Sequence, residues 1–199
     1  MQRLFQYAHP GKGTTMRVAV ISDTHHNTNR AAEVLDFVVP FDVLIHAGDG
    51  VADLAVLAEN GDFRTAGVSG NEDSGVDYPP ETTLELSGVL IHVTHGHQFD
   101  LNPYAPREAW EKSADGLALR GHTLGARLVI FGHTHRPHLS ERNSVVLFNP
   151  GDIYPQAPHS HVGLILIGPE DFEVSVTRCD KNDRREVILN ESFPIQGEP

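Results

Sequence analysis

Apolar and polar positions divide the chain into short segments of two kinds. MRVAVIS (16–22) is a β-branched apolar run that stops at Asp23, as a strand buried on both faces does. Between Thr28 and Val39, the residues Ala31, Ala32, Val34, Leu35 and Val38 recur at helical spacing, and Pro40 ends the segment. FDVLIHAGD (41–49) predicts a second buried strand, VADLAVLAE (51–59) a second helix and FRTAGVSG (63–70) a third strand. This βαβαβ order predicts an α/β fold with a mainly parallel sheet and helices on its faces.

After Asn71 the pattern changes. TLELSGVLIHVTHG (83–96) reads as two strands joined by a hairpin at Ser87-Gly88. A helix from Pro106 to about Leu119 follows, with Pro in its first turn and Trp110, Ala114 and Leu117 on one face. RLVIFGHTH (127–135), SVVLFNPGD (144–152), HVGLILIG (161–168) and FEVSVTR (172–178) read as short strands. The last dozen residues, with Pro194 and Gly197, are expected to fray. Residues 1–15 precede the first clear strand and read as an N-terminal extension to a single domain over 16–199.

Composition narrows the class. At 199 residues, 39% of them apolar and 21% charged, the chain is the length and make-up of one globular domain. No run approaches the roughly 18 apolar residues that span a membrane, and MQRLFQYAHPGKGTTM lacks the apolar core of a signal peptide. Cys179 is the single cysteine, so no intrachain disulfide forms and a cytoplasmic location is expected. With 15 basic and 27 acidic residues the formal charge is −12, which disfavours nucleic acid and anionic membrane as partners. A small phosphorylated substrate stays compatible, because bound divalent metals reverse the local field. An assembly of identical chains is also compatible with the sequence.

The unusual number is 13 histidines, several of them in the tight motifs Asp-Thr-His-His, Thr-His-Gly-His and Gly-His-Thr-His. Asp23, Asp49, Asn71, His95 and His133 each sit just past an apolar strand, the edge of an α/β sheet where ligands gather. With His25 and His135 they form a candidate metal-binding set of seven. Alternation in an extended strand end would put Asp23 with His25, and His133 with His135, on one side. Carboxylate, carboxamide oxygen and imidazole suit manganese first, and iron, zinc or nickel as well. Two divalent ions about 3.5–4 Å apart, bridged by a carboxylate, would polarise a phosphoryl group and generate hydroxide for in-line attack. Such chemistry needs no protein nucleophile, and the chain offers no obvious activated Ser or Cys.

The ordered string D-x-H, GD, GN, HGH, GHTH, NPG resembles the calcineurin-like metallophosphoesterases, and within them the small YfcE-type phosphodiesterases of bacteria and archaea. The similarity runs from about residue 16 to residue 178. It implies a β-sandwich flanked by helices, so the strands read above as one sheet are expected to divide between two. It also implies one metal held by Asp23, His25, Asp49 and His135, and a second by Asp49, Asn71, His95 and His133, with Asp49 bridging. Two positions depart from the pattern. Glu72 follows the GN motif where many members carry a His that serves as leaving-group acid, and His26 follows D-x-H where Gly is frequent. The retromer scaffold subunit shares the fold and has lost activity, with an apolar residue in its GN motif. The alternative for this chain is therefore a catalytically weak scaffold that docks a protein partner.

The remaining candidates carry a bland reading beside the functional one. His46 and His92, inside strands, read as core or supporting histidines, and His9, His122, His138, His159 and His161 as surface or loop residues. His26 and His97 are the catalytic candidates for protonating a leaving group. Arg136, directly after GHTH, is placed to clamp a phosphate. Tyr104, on the loop that leaves the Thr-His-Gly-His strand, is placed at the substrate rim. Asn149-Pro150-Gly151 reads as a strand-ending turn, and Trp110 as a core anchor rather than a substrate platform.

Overall fold

The computed structural model describes residues 5–6, 15–59, 61–102 and 104–196. The first half of the chain runs β1 (Phe5–Gln6), β2 (Met16–Ile21), α1 (Thr28–Leu35), β3 (Val43–His46), α2 (Asp53–Ala58), β4 (Arg64–Gly67), β5 (Glu81–Leu86) and β6 (Val89–Thr94). A short 3-10 helix (His97–Phe99) leads to α3 (Arg107–Thr123) and β7 (Leu128–Ile130). Then come β8 (His138–Arg142), β9 (Val145–Asn149), β10 (His159–Ile167), β11 (Asp171–Asp180) and β12 (Arg185–Pro194).

These strands make two six-stranded sheets, ordered β12-β11-β10-β2-β3-β4 and β1-β5-β6-β7-β9-β8. Within the first, β2, β3 and β4 run parallel, as the βαβαβ pattern predicts. Within the second, β6, β7 and β9 are parallel to one another. The division into two sheets follows from what each strand face meets. Val18, Val20, Val43 and Ile45 point into a core shared with Ile91, Ile130 and Phe148 of the other sheet. Their neighbours Ala19, Ile21 and Leu44 point the other way, onto Ala31, Val34 and Leu35 of α1. Val129 and Leu147 likewise cover Ala114, Leu117 and Ala118 of α3. The result is a sandwich with a helical layer on each outer face. Each fully buried Val, Ile or Phe here contributes about 1.5–3 kcal/mol by leaving water.

The hairpin falls where the sequence puts it: Ser87 (φ 48°) and Gly88 (φ 86°) turn between Leu86 and Val89. Elsewhere the structure corrects the reading. Helix α3 continues to Thr123, past the predicted end near Leu119, because Gly121 does not break it. That glycine seats the helix on the sheet, where a Cβ would lie 2.5 Å from a Val129 methyl. Up to Pro194 the C-terminal segment is not frayed: β12 pairs with β11 from Cys179↔Arg185 to Asp171↔Pro194, and Phe193 is buried against Phe172. It escaped notice because it is a mostly exposed edge strand, whose charges guard the edge and hide the strand pattern. The same holds for β8, a half-buried edge beside β9.

His138 and His159 therefore lie in strands, and His161, in β10, is buried rather than on the surface. Of residues 1–15, Phe5–Gln6 adds in parallel beside β5. Apart from Thr15, the rest of that segment, His9 included, lies outside the described residues, as do Pro103 and Gly197. Among the described residues no helix is long and apolar enough to cross a membrane.

Candidate metal centre

The C-terminal ends of parallel strands from both sheets meet at one rim. Asp23 follows β2, Asp49 follows β3, Asn71 follows β4, His95 follows β6, and His133 and His135 follow β7. The loops interlock through their backbones: the Asp23 N–H donates to the Gly48 carbonyl (2.9 Å), His25 N–H to Asp49 (3.1 Å) and Gly132 N–H to His95 (3.0 Å). Extended alternation does not aim the side chains. Asp23 (φ 52°), His25 (46°), Asp49 (54°), His133 (67°) and His135 (57°) all adopt left-handed backbone. Each such residue costs on the order of 1–3 kcal/mol and persists only where its surroundings over-determine it, as they do at functional sites.

Among the described residues three groups result, each with one ligand atom per residue and all atoms within 4.8 Å of one another: Asp23 with His25 and His135, Asp23 with Asp49 and His95, and His25 with Asp49 and Glu72. His25 Nε2 lies 3.4 Å from His135 Nε2, while the His133 ring centre lies 5.2 Å from that of His95. Asn71 is exposed on its loop, between Gly70 and Glu72. His97 stands in the short helix, its ring centre 5.5 Å from His95 and 6.2 Å from His133. His26 is exposed, on a cavity of about 300 Å³ shared with His25, Glu72 and Tyr154. On the other side, His97, His133 and His135 line a cleft of about 580 Å³ with Asn102 and Tyr104. Tyr104 is 85% exposed, and the Arg136 guanidinium sits 5.1 Å from its ring centre.

The charges around His95 test whether a cation suits this place. His95 Nδ1 can only donate to the Ala47 carbonyl (2.8 Å), which turns its Nε2 lone pair toward Asp49 Oδ2 (3.2 Å) and Asp23 Oδ1 (4.0 Å). Nε2 is buried and makes no hydrogen bond. A lone pair facing two carboxylates is repulsive unless positive charge lies between them. With only protons to supply it, burial disfavours the charged ring, yet Asp49 and Asp23 outweigh burial and raise the His95 pKa. His135 is pushed up to about 10 by its contacts with Asp152 and Asp23, against burial. Burial would raise Asp49, but the His95 contact and the Glu72 N–H pull it down to about 2. Two carboxylates that draw protons onto neighbouring imidazoles are a donor set fit for a divalent cation.

Several supporting residues were not weighed from the sequence. Asp73 accepts N–H bonds from Asp49 (2.8 Å), Gly50 (2.9 Å), Val51 (3.3 Å) and Gly70 (2.9 Å), tying the loops after β3 and β4 together. Asp152 lies 3.3 Å from His135 Nδ1 and 3.2 Å from His161 Nδ1. Tyr154 sets its ring edge-on to His25, with centres 4.7 Å apart. The available signals were small: Asp73 follows closely on Gly-Asn, and Asp152 follows a glycine at a strand end, as Asp49 does. Asn149 is more than a turn residue, since its amide donates to the Gly132 carbonyl (2.7 Å) and to Thr134 Oγ1 (3.1 Å). His46 is a buried support, as expected. It accepts from the Gly48 N–H (3.1 Å) and reaches Thr24 Oγ1 (3.1 Å), and burial keeps it neutral with a pKa near 4.

The chain is similar to known proteins in both sequence and fold. Residues 16–170 match the calcineurin-like phosphoesterase superfamily domain. A "probable metallophosphoesterase" of Methanocaldococcus jannaschii is 35% identical over 154 residues, 73% of this chain and 73% of that protein. Two solved structures share the fold. One is a conserved protein of Streptococcus pneumoniae described as a predicted phosphoesterase, with a TM-score of 0.69 and 24% identity over 91% of this chain and 98% of that one. The other is a single mutant of Vps29 from Entamoeba histolytica, with a TM-score of 0.69 and 20% identity over 89% and 99%.

Proposed function

The chain belongs to the calcineurin-like phosphoesterase superfamily, and from that premise we propose that it hydrolyses phosphomonoesters or phosphodiesters at a centre of two divalent metal ions. The observation that carries this reading is the buried His95 Nε2 aimed at the paired carboxylates of Asp49 and Asp23. Asp23, His25, Asp49 and His135 would hold one ion, and Asp49, Asn71, His95 and His133 the other. The close approach of His25 to His135, and of His95 to His133, supports that division. Manganese is our first assignment, and the same donors suit iron, zinc or nickel. When bound, such a pair of ions supplies Lewis acidity to the phosphoryl oxygens and a hydroxide nucleophile near neutral pH.

The chain's own groups do the rest. The Ala47 carbonyl fixes which nitrogen His95 presents, and Asp152 does the same for His135. We assign Arg136 and Tyr104, whose guanidinium and ring lie 5.1 Å apart beside the cleft that Tyr104 lines, to holding phosphate oxygens. Glu72 contacts His25 Nδ1 at 3.0 Å, which suits it to orienting that ring rather than to donating a proton. Burial and the charge of His95 lower the His97 pKa. With Glu72 unsuited to the role, protonation of the leaving group falls to His26, His97 or water.

Nitrophenyl esters, whose leaving groups need no proton, are therefore expected to react much faster than alkyl esters. The comparison is turnover on matched esters under conditions where chemistry limits the rate, and equal rates would contradict this assignment. A second reading, a catalytically weak scaffold that docks a protein partner, draws on the fold likeness to Vps29 and on Glu72 in the place of an acid. It predicts bound metal with near-zero turnover. A screen of divalent metals against nitrophenyl phosphate mono- and diesters separates the two readings.

A further inference from the structure

Beside the cleft at the candidate metal centre lies a second cavity, of about 380 Å³, that the reading above leaves without a role. Ala105, Trp110, Thr134, Arg136, Pro137 and His138 line it, with Arg107 at the helix end. Its size is that of a small-ligand site. Two features join it to the centre. Thr134, between His133 and His135, lines both this cavity and the cleft. Arg136 lines the cavity while its guanidinium stacks over Tyr104, which lines the cleft. The cavity and the cleft at His133 and His135 therefore adjoin across Thr134 and the Arg136–Tyr104 pair.

The walls specify what enters. Trp110 is half-buried, packed on the core beneath α3 and set edge-on to His138, with ring centres 5.4 Å apart. Pro137 and Ala105 add apolar surface without branched bulk. Guanidinium groups, like indole, stack on planar rings, whereas an aliphatic group would gain less from either. Two arginines on one cavity stand out in a chain of formal charge −12, and favour a ring that is attached to an anionic group.

We propose that this cavity is a substrate subsite, which receives a planar aromatic group (an aryl ring or a nucleobase) esterified to the phosphoryl group held at the metal centre. Trp110 supplies the stacking surface, and Arg107 and Arg136 line the same cavity. The inference rests on the phosphoesterase reading, and its test separates the two.

Phenylphosphonate and methylphosphonate carry the same phosphoryl head on a carbon that is not hydrolysed, and differ by the ring. Both are titrated calorimetrically into manganese-loaded protein. Phenylphosphonate is expected to bind at least about tenfold more tightly, on the scale of one stacked ring. Because Trp110 is the single tryptophan, its emission should shift with phenylphosphonate and stay unchanged with methylphosphonate. Trp110→Leu should remove the advantage and leave methylphosphonate binding as it was. Ala105→Leu, which fills the cavity without touching the core, should do the same should Trp110→Leu fail to fold. Equal affinity for the two ligands, or an advantage that survives in a folded variant, overturns the subsite and leaves the metal centre standing. Binding of neither ligand overturns the subsite, and whether the metal centre stands is then read from turnover of nitrophenyl phosphate esters.

Discussion

Asp49→Ala is expected to lose phosphoester hydrolysis by at least about a hundredfold, the scale of removing one strong stabiliser of transition-state charge, and to lose bound metal with it. Asp49 belongs to two of the three candidate ligand groups, alongside His95 in one and His25 in the other. Its carboxylate is held from behind by the Glu72 N–H at 2.8 Å and faces His95 Nε2 at 3.2 Å. Asp49→Asn keeps that shape and removes the charge, so it distinguishes a carboxylate that neutralises two cations from one that only fills space. Both variants are to be assayed for turnover and for metal content by mass spectrometry, with folding checked by circular dichroism. Unchanged turnover in Asp49→Ala would sink the two-metal reading.

Gly70→Ala is expected to cost on the order of a hundredfold in turnover without removing any ligand, because a displacement near 1 Å at a reacting centre has that effect. A Cβ at Gly70 would lie 2.1 Å from Asp49 Oδ1 and 2.6 Å from the Asp49 nitrogen. The backbone cannot easily retreat, since Asp73 holds that same nitrogen at 2.8 Å and the Gly70 nitrogen at 2.9 Å. The carboxylate must turn instead. Manganese affinity by calorimetry should fall together with turnover. Gly116→Ala provides the control: it sits within α3 with open space around its Cβ position, and should gain about 0.8–1 kcal/mol of stability with activity intact. Full metal affinity and turnover in Gly70→Ala would mean that the position of Asp49 is not critical.

How much of this was legible in the sequence depended on burial. The parallel β2-α1-β3-α2-β4 unit and the β5–β6 hairpin were readable because strands covered on both faces are uniformly apolar and end sharply. The same uniformity hides which layer each face meets, so the residues alone suggested one sheet. It took the family resemblance to expect the two that Val18 and Ala19, facing opposite ways, now explain. The exposed edges β8 and β12 carry no such signal. At the site, the Asp, Asn and His residues at strand ends were visible one strand at a time. Asp73, Asp152 and His161 were not, because each acts on a loop that only tertiary structure brings to it. The left-handed turns at Asp23, His25, Asp49, His133 and His135 were equally hidden, since backbone strain at a non-glycine residue leaves no mark in composition.

The central claim, hydrolysis at a pair of divalent ions, is tested most directly by stripping the protein with a chelator and titrating manganese back. Turnover of bis(p-nitrophenyl) phosphate and bound metal are followed together. The account predicts no turnover in the stripped protein and recovery that reaches its plateau as the second ion per chain is taken up. Turnover that survives complete removal of metal, or a fully loaded protein that hydrolyses neither this diester nor the corresponding monoester, would contradict it.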